Sequence, residues 1–220
     1  MVRVLSVALP KSGSWLNSVP CKALGLHLSN KEFLVSAKYR LGLPIYGSDG
    51  TCPSCQSPSD RYGDHAIICA YDGERISRHN MLRDALFKAA SQAGVQPAKE
   101  EAALIPGSDA RPADIFLPRF ENGTDCALDV IVVSPVQQAL LTRAGVEPGG
   151  NRLIPLLSYE TFGGASSSTI STISRIGKSL AAHSEHQESK VVSHLFQRLG
   201  VLLAKGNSAL LLSSPPPHLP

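Results

Sequence analysis

The chain lacks any long hydrophobic run. No window of its 220 residues approaches the roughly 20 apolar residues that cross a bilayer, so no membrane-spanning helix is expected. The apolar start, Val2 to Leu9, is too short for a secretory core segment. Cysteine is too sparse for a disulfide scaffold: there are five, and three of them lie close together beside a histidine. That grouping favours metal binding in a reducing compartment, and an intracellular, soluble protein is the expectation. Charge is scarce as well, at 18% of residues, with aromatics at 5%. The net charge of +3 is mildly basic; it is compatible with a nucleic-acid partner without identifying one. No internal repeat is visible.

Apolar residues make up 43% of the chain, enough for a packed core, while 18 glycines and 16 prolines imply many turns. Residues 1–20 show no periodicity and read as a loosely held leader. Ser29-Asn30 caps a helix from about Lys31 to Leu41, with Phe33, Leu34, Ala37 and Leu41 at helical spacing and Gly42 as its stop. Residues 47–64 are loop. An amphipathic helix is predicted over 75–93, with Ile76, Leu82, Leu86, Ala89 and Ala93 as its stripe. Strands are expected near 99–105, 113–117, 126–133 and 153–159. The Asn122-Gly123 dipeptide marks a hairpin, and the nearly continuous apolar run from Cys126 to Val133 implies burial on both faces. Cys126 reads as a small core residue. Helices follow at about 169–182 and 188–205, then a Pro-rich disordered tail at 213–220. The fold class is α/β or α+β: a small mixed sheet flanked by helices. The domain reading is an N-terminal leader and helix at 1–46, a knuckle loop at 47–74, a core at 75–212 and the tail.

Two constellations carry chemistry. Cys52, Cys55, His65 and Cys69 are spaced as Cys-x2-Cys, nine residues, His, three residues, Cys. A Cys-x2-Cys turn grips one side of a tetrahedral ion, and a His-x3-Cys pair at a helix start supplies the other. Four protein ligands close the site, so structural zinc is expected, contributing the ordering energy that this polar loop lacks. The second constellation is acidic. With Asn122-Gly123 as the hairpin tip, Asp114 falls opposite Ile131 and Asp129 becomes its diagonal neighbour on the same face. Diagonal separations of ~7–8 Å suit two carboxylates converging on a divalent cation, Mg or Mn. Glu100 or Glu101 on the preceding strand would add a third. Asp129 interrupts an apolar strand, where an unpaired charge is costly. Arg78, His79 and Arg111 are the candidate nucleic-acid contacts, with Arg83 one turn beyond His79.

Taken in order, these motifs resemble the restriction-enzyme-like endonuclease domain at the C-terminus of non-long-terminal-repeat retrotransposon polyproteins, of the PD-(D/E)XK superfamily. The similarity covers about Trp15 to Gln138 and rests on Cys52, Cys55, His65 and Cys69, then Arg78-His79-Asn80, then Arg111-Pro112-Ala113-Asp114, then Asp129. The resemblance implies a restriction-endonuclease-like fold behind an N-terminal zinc knuckle, with Asp114, Asp129 and Glu100 as catalytic residues. It also implies metal-dependent cleavage of DNA, with RNA as a second partner, a nuclear rather than cytoplasmic location, and a reverse transcriptase upstream in the parent element. The sequence departs from the pattern in three places. Ala113 separates Pro112 from Asp114. Ile131 occupies the position two residues after the second acid, where the superfamily lysine falls on the same strand face. The helix to which some members move that lysine is also missing: Val130 to Ile176 contains no lysine, only Arg143, Arg152 and Arg175, and a deletion near 139–151 is expected. Lys99 and Lys178 are the remaining spatial substitutes. An impaired nuclease follows, with a non-catalytic zinc-dependent nucleic-acid-binding module or an inert remnant as the alternatives.

Overall fold

The computed structural model describes residues 2–70, 73–102, 111, 113–136 and 156–213. It is a mixed α/β chain. Its elements are α1 (Val2–Ala8), a 3-10 turn (Ser14–Asn17), α2 (Asn30–Leu41), β1 (Gly50–Thr51), β2 (Pro58–Ser59), α3 (Asp64–Ile68), α4 (Glu74–Gln92), β3 (Ala98–Lys99), β4 (Ile115–Glu121), β5 (Thr124–Val133), β6 (Leu156–Glu160), α5 (Ser167–Ala182) and α6 (Glu188–Ser213). The four-stranded sheet runs β3-β4-β5-β6; the first three strands form an antiparallel meander, and β6 lies parallel to β5.

Side-chain parity decides which face of the sheet is covered. Ile115 and Leu117 on β4, Cys126, Leu128 and Val130 on β5, and Leu157 and Tyr159 on β6 are all buried. They pack with Leu82, Leu86 and Ala89 of α4, Ile173 and Ile176 of α5, and Leu195, Phe196 and Leu199 of α6 as one core. The opposite parity on β5, from Ala127 to Val133, is only half-buried. The expected burial of β5 on both faces is therefore corrected for the described residues: its apolar run packs tightly on one side. Cys126 is the small core residue that the sequence implied.

Five expectations change. Residues 2–17 form a helix and a 3-10 turn instead of a loose leader. Trp15 packs with Val201 and Ala204 of α6, and Arg40 donates to the carbonyls of Val7 and Ser12. Helix α2 keeps its predicted bounds and its Ser29 capping box, yet it turns Ser36 and Tyr39 inward and leaves Phe33, Leu34 and Leu41 exposed. Helix α4 exposes Ile76 and buries Arg78 in its place, because 78, 82, 85, 86 and 89 are the positions facing the core. Helix α6 continues eight residues past the predicted end, and its last turns bury Asn207, Ser208, Leu210 and Leu211. The predicted strand at 99–105 is realised only as Ala98–Lys99, with 103–110 outside the described residues. The deletion segment at 139–151 and the tail beyond Ser213 also lie outside them.

Candidate metal centre and acidic pair

The knuckle is assembled by short-range backbone geometry. Cys52 N–H donates to the Ser57 carbonyl at 2.8 Å, and Gln56 N–H donates to the Cys52 carbonyl at 2.9 Å, closing the Cys-x2-Cys turn. Flanking it, β1 and β2 form a two-rung ladder. Asp60 then orders the second half. Its carboxylate accepts from the backbone N–H groups of Tyr62, Asp64 and His65 at 2.9, 3.1 and 2.8 Å. Asp64 and His65 open α3 and Tyr62 lies just ahead of its N-cap Gly63, so Asp60 satisfies amides at the helix start and sets the position from which His65 projects. One turn later Cys69 N–H donates to the His65 carbonyl, which brings both ligands to one side. Asp60 was not among the residues the spacing singled out; its signal was an acid a few residues before a short helix.

The four ligand atoms all lie within 4.8 Å of one another. Zinc–sulfur bonds of about 2.3 Å at tetrahedral angles put two sulfurs about 3.8 Å apart; Cys52 and Cys69 Sγ are 3.8 Å apart, and both residues are buried. Cys55 Sγ is 3.2 Å from His65 Nε2. Hydrogen bonds from the side chain and backbone of Ser57 push the Cys55 thiol down to about 6, so it reaches neutral pH as the thiolate that a metal requires. Donor type, number and spacing fit zinc, and the closed set fits a structural ion. The knuckle is seated on the rest of the chain through Ala66 and Ile67, which pack with Tyr39, Phe162, Leu210 and Leu211 in a second core.

The acidic residues meet, in a register different from the expected one. Strand β4 pairs Glu121 with Thr124 at the Asn122-Gly123 turn, but Leu117 pairs with Cys126, Phe116 with Ala127 and Ile115 with Leu128. The register slips by two between Leu117 and Glu121. There Pro118 offers no amide hydrogen, Arg119 takes φ 50°, and its N–H donates to Asp125 Oδ1 at 2.9 Å. Continued one residue back, the pairing sets Asp114 opposite Asp129 instead of Ile131. A two-residue slip preserves side-chain parity, so both acids still share a face. Their carboxyl groups are within hydrogen-bonding reach of each other. Asp114 also receives Val130 N–H at 2.7 Å and faces His79 Nε2 at 3.1 Å.

This environment splits the pair. Burial raises both carboxyls, but hydrogen bonds from His79 and from Val130 N–H outweigh it at Asp114 and hold that group below the ordinary range. Burial and then the Asp114 carboxyl push Asp129 up. The hydrogen bond to Asp114 raises His79. The signs follow by linkage. Asp114 contributes stability above its ordinary range, lost as pH falls through its lowered value. His79 contributes stability below the usual histidine range, lost as pH rises through its raised value. Asp129 costs stability as pH rises above the ordinary carboxyl range, and the full cost is present once pH exceeds its raised value. Without divalent cations, Asp129→Asn is therefore expected to raise the melting temperature slightly at neutral pH and leave it unchanged at pH 3, as a melting series against pH would record. An unchanged or lower midpoint at pH 7 would contradict the like-charge reading.

The other predicted residues fall elsewhere. Glu100 adjoins Asp114 through backbone, its N–H donating to the Asp114 carbonyl at 3.2 Å. Its carboxylate, however, is held by Arg83 at 3.0 Å and Arg111 at 3.6 Å, so it is directed to two arginines and does not complete a third ligand. Among the described residues, the cysteine–histidine cluster is the only group of three or more ligand side chains that converge in this way. Lys99 is bound to Asp84 at 2.8 Å and Lys178 to Glu188 at 3.4 Å, so both spatial substitutes for the superfamily lysine are committed elsewhere. Arg111 is exposed. Arg78 is 3% exposed and donates to Asn207 Oδ1 at 2.8 Å. None of the helices among the described residues is long and apolar enough to cross a membrane.

No protein-family model matches this chain, and no curated protein matches it significantly.

Proposed function

We propose that this chain is a retrotransposon-derived endonuclease-like domain with a restriction-endonuclease-like core, which binds DNA and cleaves it weakly or not at all. The observation that carries the reading is the facing pair, Asp114 and Asp129, at the open end of the β4–β5 hairpin. The order of helix α4, an antiparallel three-strand meander and a parallel fourth strand supports it, as does the closed cysteine–histidine cluster ahead of that order. Two carboxylates held face to face repel each other, and a divalent cation between them would relieve that repulsion. Asp114 and Asp129 would hold such a cation, whose chemistry is to activate water and neutralise charge at a scissile phosphate. Around the pair, His79 holds Asp114 in place through its hydrogen bond, and Ile131 keeps a hydrocarbon where a lysine would assist.

The impairment follows from the same residues. Attack on a phosphodiester needs a positioned base or cation beyond the metal-binding acids. Glu100, Lys99 and Lys178 are each engaged in ion pairs elsewhere. This favours, as the second reading, a zinc-dependent nucleic-acid-binding module without cleavage. A supercoiled-plasmid assay with Mg or Mn tests both. Binding that weakens with rising salt is expected, because phosphate contacts release counterions, with little or no nicking. Robust nicking abolished by Asp114→Ala and by Asp129→Ala would show an intact nuclease, and loss of binding altogether would remove both readings.

A further inference from the structure

Arg78 is the most unusual charged group in the described chain. Its side chain is 3% exposed, and no carboxylate among the described residues lies within ion-pair distance of it. Helix α6 approaches so closely here that a Cβ on Gly206 would come within 2.5 Å of Arg78 Cγ. The next residue, Asn207, accepts from Arg78 Nη1 at 2.8 Å and donates through Nδ2 to the Thr161 carbonyl at 2.7 Å. That relay fixes the guanidinium without neutralising it, and Arg78 Nε has no hydrogen-bond partner. A buried cation left with a dipole as its partner is costly. Consistent with this, burial and the neighbouring Arg75 push the Arg78 guanidinium down to about 10.

Arg78 is also one of the residues lining an open groove of about 370 Å³ between the start of α4 and residues Val130 to Val132 of β5, with Arg75 and His79 as the other basic residues there. Strand β4 begins at Ile115, opposite Leu128, so no strand covers that side of β5 along the groove among the described residues. Arg75 is exposed and tethered by Nη1 to the Ile68 carbonyl at the end of α3, 3.1 Å away. The N-terminal end of the 19-residue α4 adds the positive pole of a helix dipole.

We infer that this groove is a binding site for a phosphate oxyanion, with the fixed, unneutralised Arg78 guanidinium as its floor and Arg75 and His79 as its walls. A tetrahedral anion matches a guanidinium flanked by two further donors, and it supplies the counter-charge that the described chain withholds. Asp114 and Asp129 are not among the groove's lining residues, although Asp114 bonds His79 and Val130, which are, and the site stands whether or not that pair supports cleavage.

Titration of the full chain with inorganic phosphate at fixed ionic strength, against chloride, tests the site by calorimetry and by the thermal midpoint. Saturable phosphate binding is expected. Arg78→Gln, which removes the charge and keeps a donor for Asn207, should weaken it roughly tenfold or more. Arg75→Gln, an exposed change that leaves the core intact, should weaken it several-fold and keeps the test open if Arg78→Gln does not fold. Asp129→Asn, at a residue outside the groove lining, should retain phosphate binding, so loss of nicking and loss of the anion site are read separately. An abasic sugar–phosphate oligonucleotide that displaces phosphate competitively assigns the anion to a nucleic-acid backbone; phosphate bound without displacement assigns it to a free oxyanion. Midpoint shifts in phosphate equal to those in chloride, or phosphate affinity unchanged in both arginine variants, would overturn the inference.

Discussion

Stripping metal from the purified protein is expected to unfold the knuckle and lower the melting temperature by about 10 °C. The cluster offers one closed tetrahedral site, so one zinc per chain should be found by elemental analysis, released by a chelator with the loss of structure. The effect is large because the knuckle also braces the core. Ala66 and Ile67 sit between the ligands His65 and Cys69 and are 1% and 0% exposed against Tyr39, Leu210 and Leu211. Without an ion, the buried sulfurs of Cys52 and Cys69 and the short α3 lose what holds them together. Exposing Ile67 alone costs about 2–3 kcal/mol, and the loop's own ordering adds to that. A total of roughly 3–5 kcal/mol corresponds to about 10 °C in a chain of this size. Cys69→Ser should reproduce the loss with zinc present. A chelated protein that melts at the same temperature, or a preparation without zinc that keeps the full fold, would refute the structural role.

The second large effect is expected from one methyl group. Gly63 holds φ 84°, and a Cβ there would lie 2.3 Å from Leu211 Cδ2, a side chain 1% exposed in the second core. Gly63→Ala combines a left-handed backbone penalty of about 1–2 kcal/mol with an overpacking cost of about 1–3 kcal/mol. Because Gly63 immediately precedes α3, the strain also disturbs the start that Asp60 fixes for His65. Expected together are a loss of roughly 2–4 kcal/mol in denaturant unfolding and weaker zinc retention during chelator competition. Leu211→Ala in the same chain removes the steric share and leaves the backbone share, so the double variant should be less destabilised than the sum of the two single ones. Simple additivity would locate the cost entirely in the backbone at Gly63.

These effects rest on features that differ in how far the sequence exposes them. The cysteine–histidine cluster was legible because its geometry is local. A Cys-x2-Cys turn and a His-x3-Cys helical turn place their side chains through a few backbone dihedrals, whatever the rest of the chain does. The shared face of Asp114 and Asp129 was legible for a similar reason: strand side chains alternate, and the slip at Pro118 to Phe120 adds an even number of residues. Which residue stands opposite which depended on that slip, and neither Pro118 alone nor the Asn122-Gly123 turn announces a two-residue irregularity. Direct opposition, and with it the division of the pair into a lowered Asp114 and a raised Asp129, belongs to the folded sheet.

Long-range packing decided the rest. The inward stripe of α4 contains Arg78 at the spacing that leads to Leu82 and Leu86, but an arginine at that position reads as surface until Gly206 and Asn207 arrive from 129 residues away to bury and hold it. Glu100 looks like a third acid in sequence, and only the folded chain brings Arg83 and Arg111 to take its carboxylate. Residues 2–17 carry no periodicity because their order comes from α2 and α6, through Arg40 and the seat of Trp15. Sequence alone determined the residues with chemical potential and the side of each strand they occupy, since both follow from side-chain type and local backbone period. Tertiary structure decided which charges are paired, which are buried and which remain open to a ligand, because desolvation and Coulomb energies depend on neighbours that the chain supplies from far along its length.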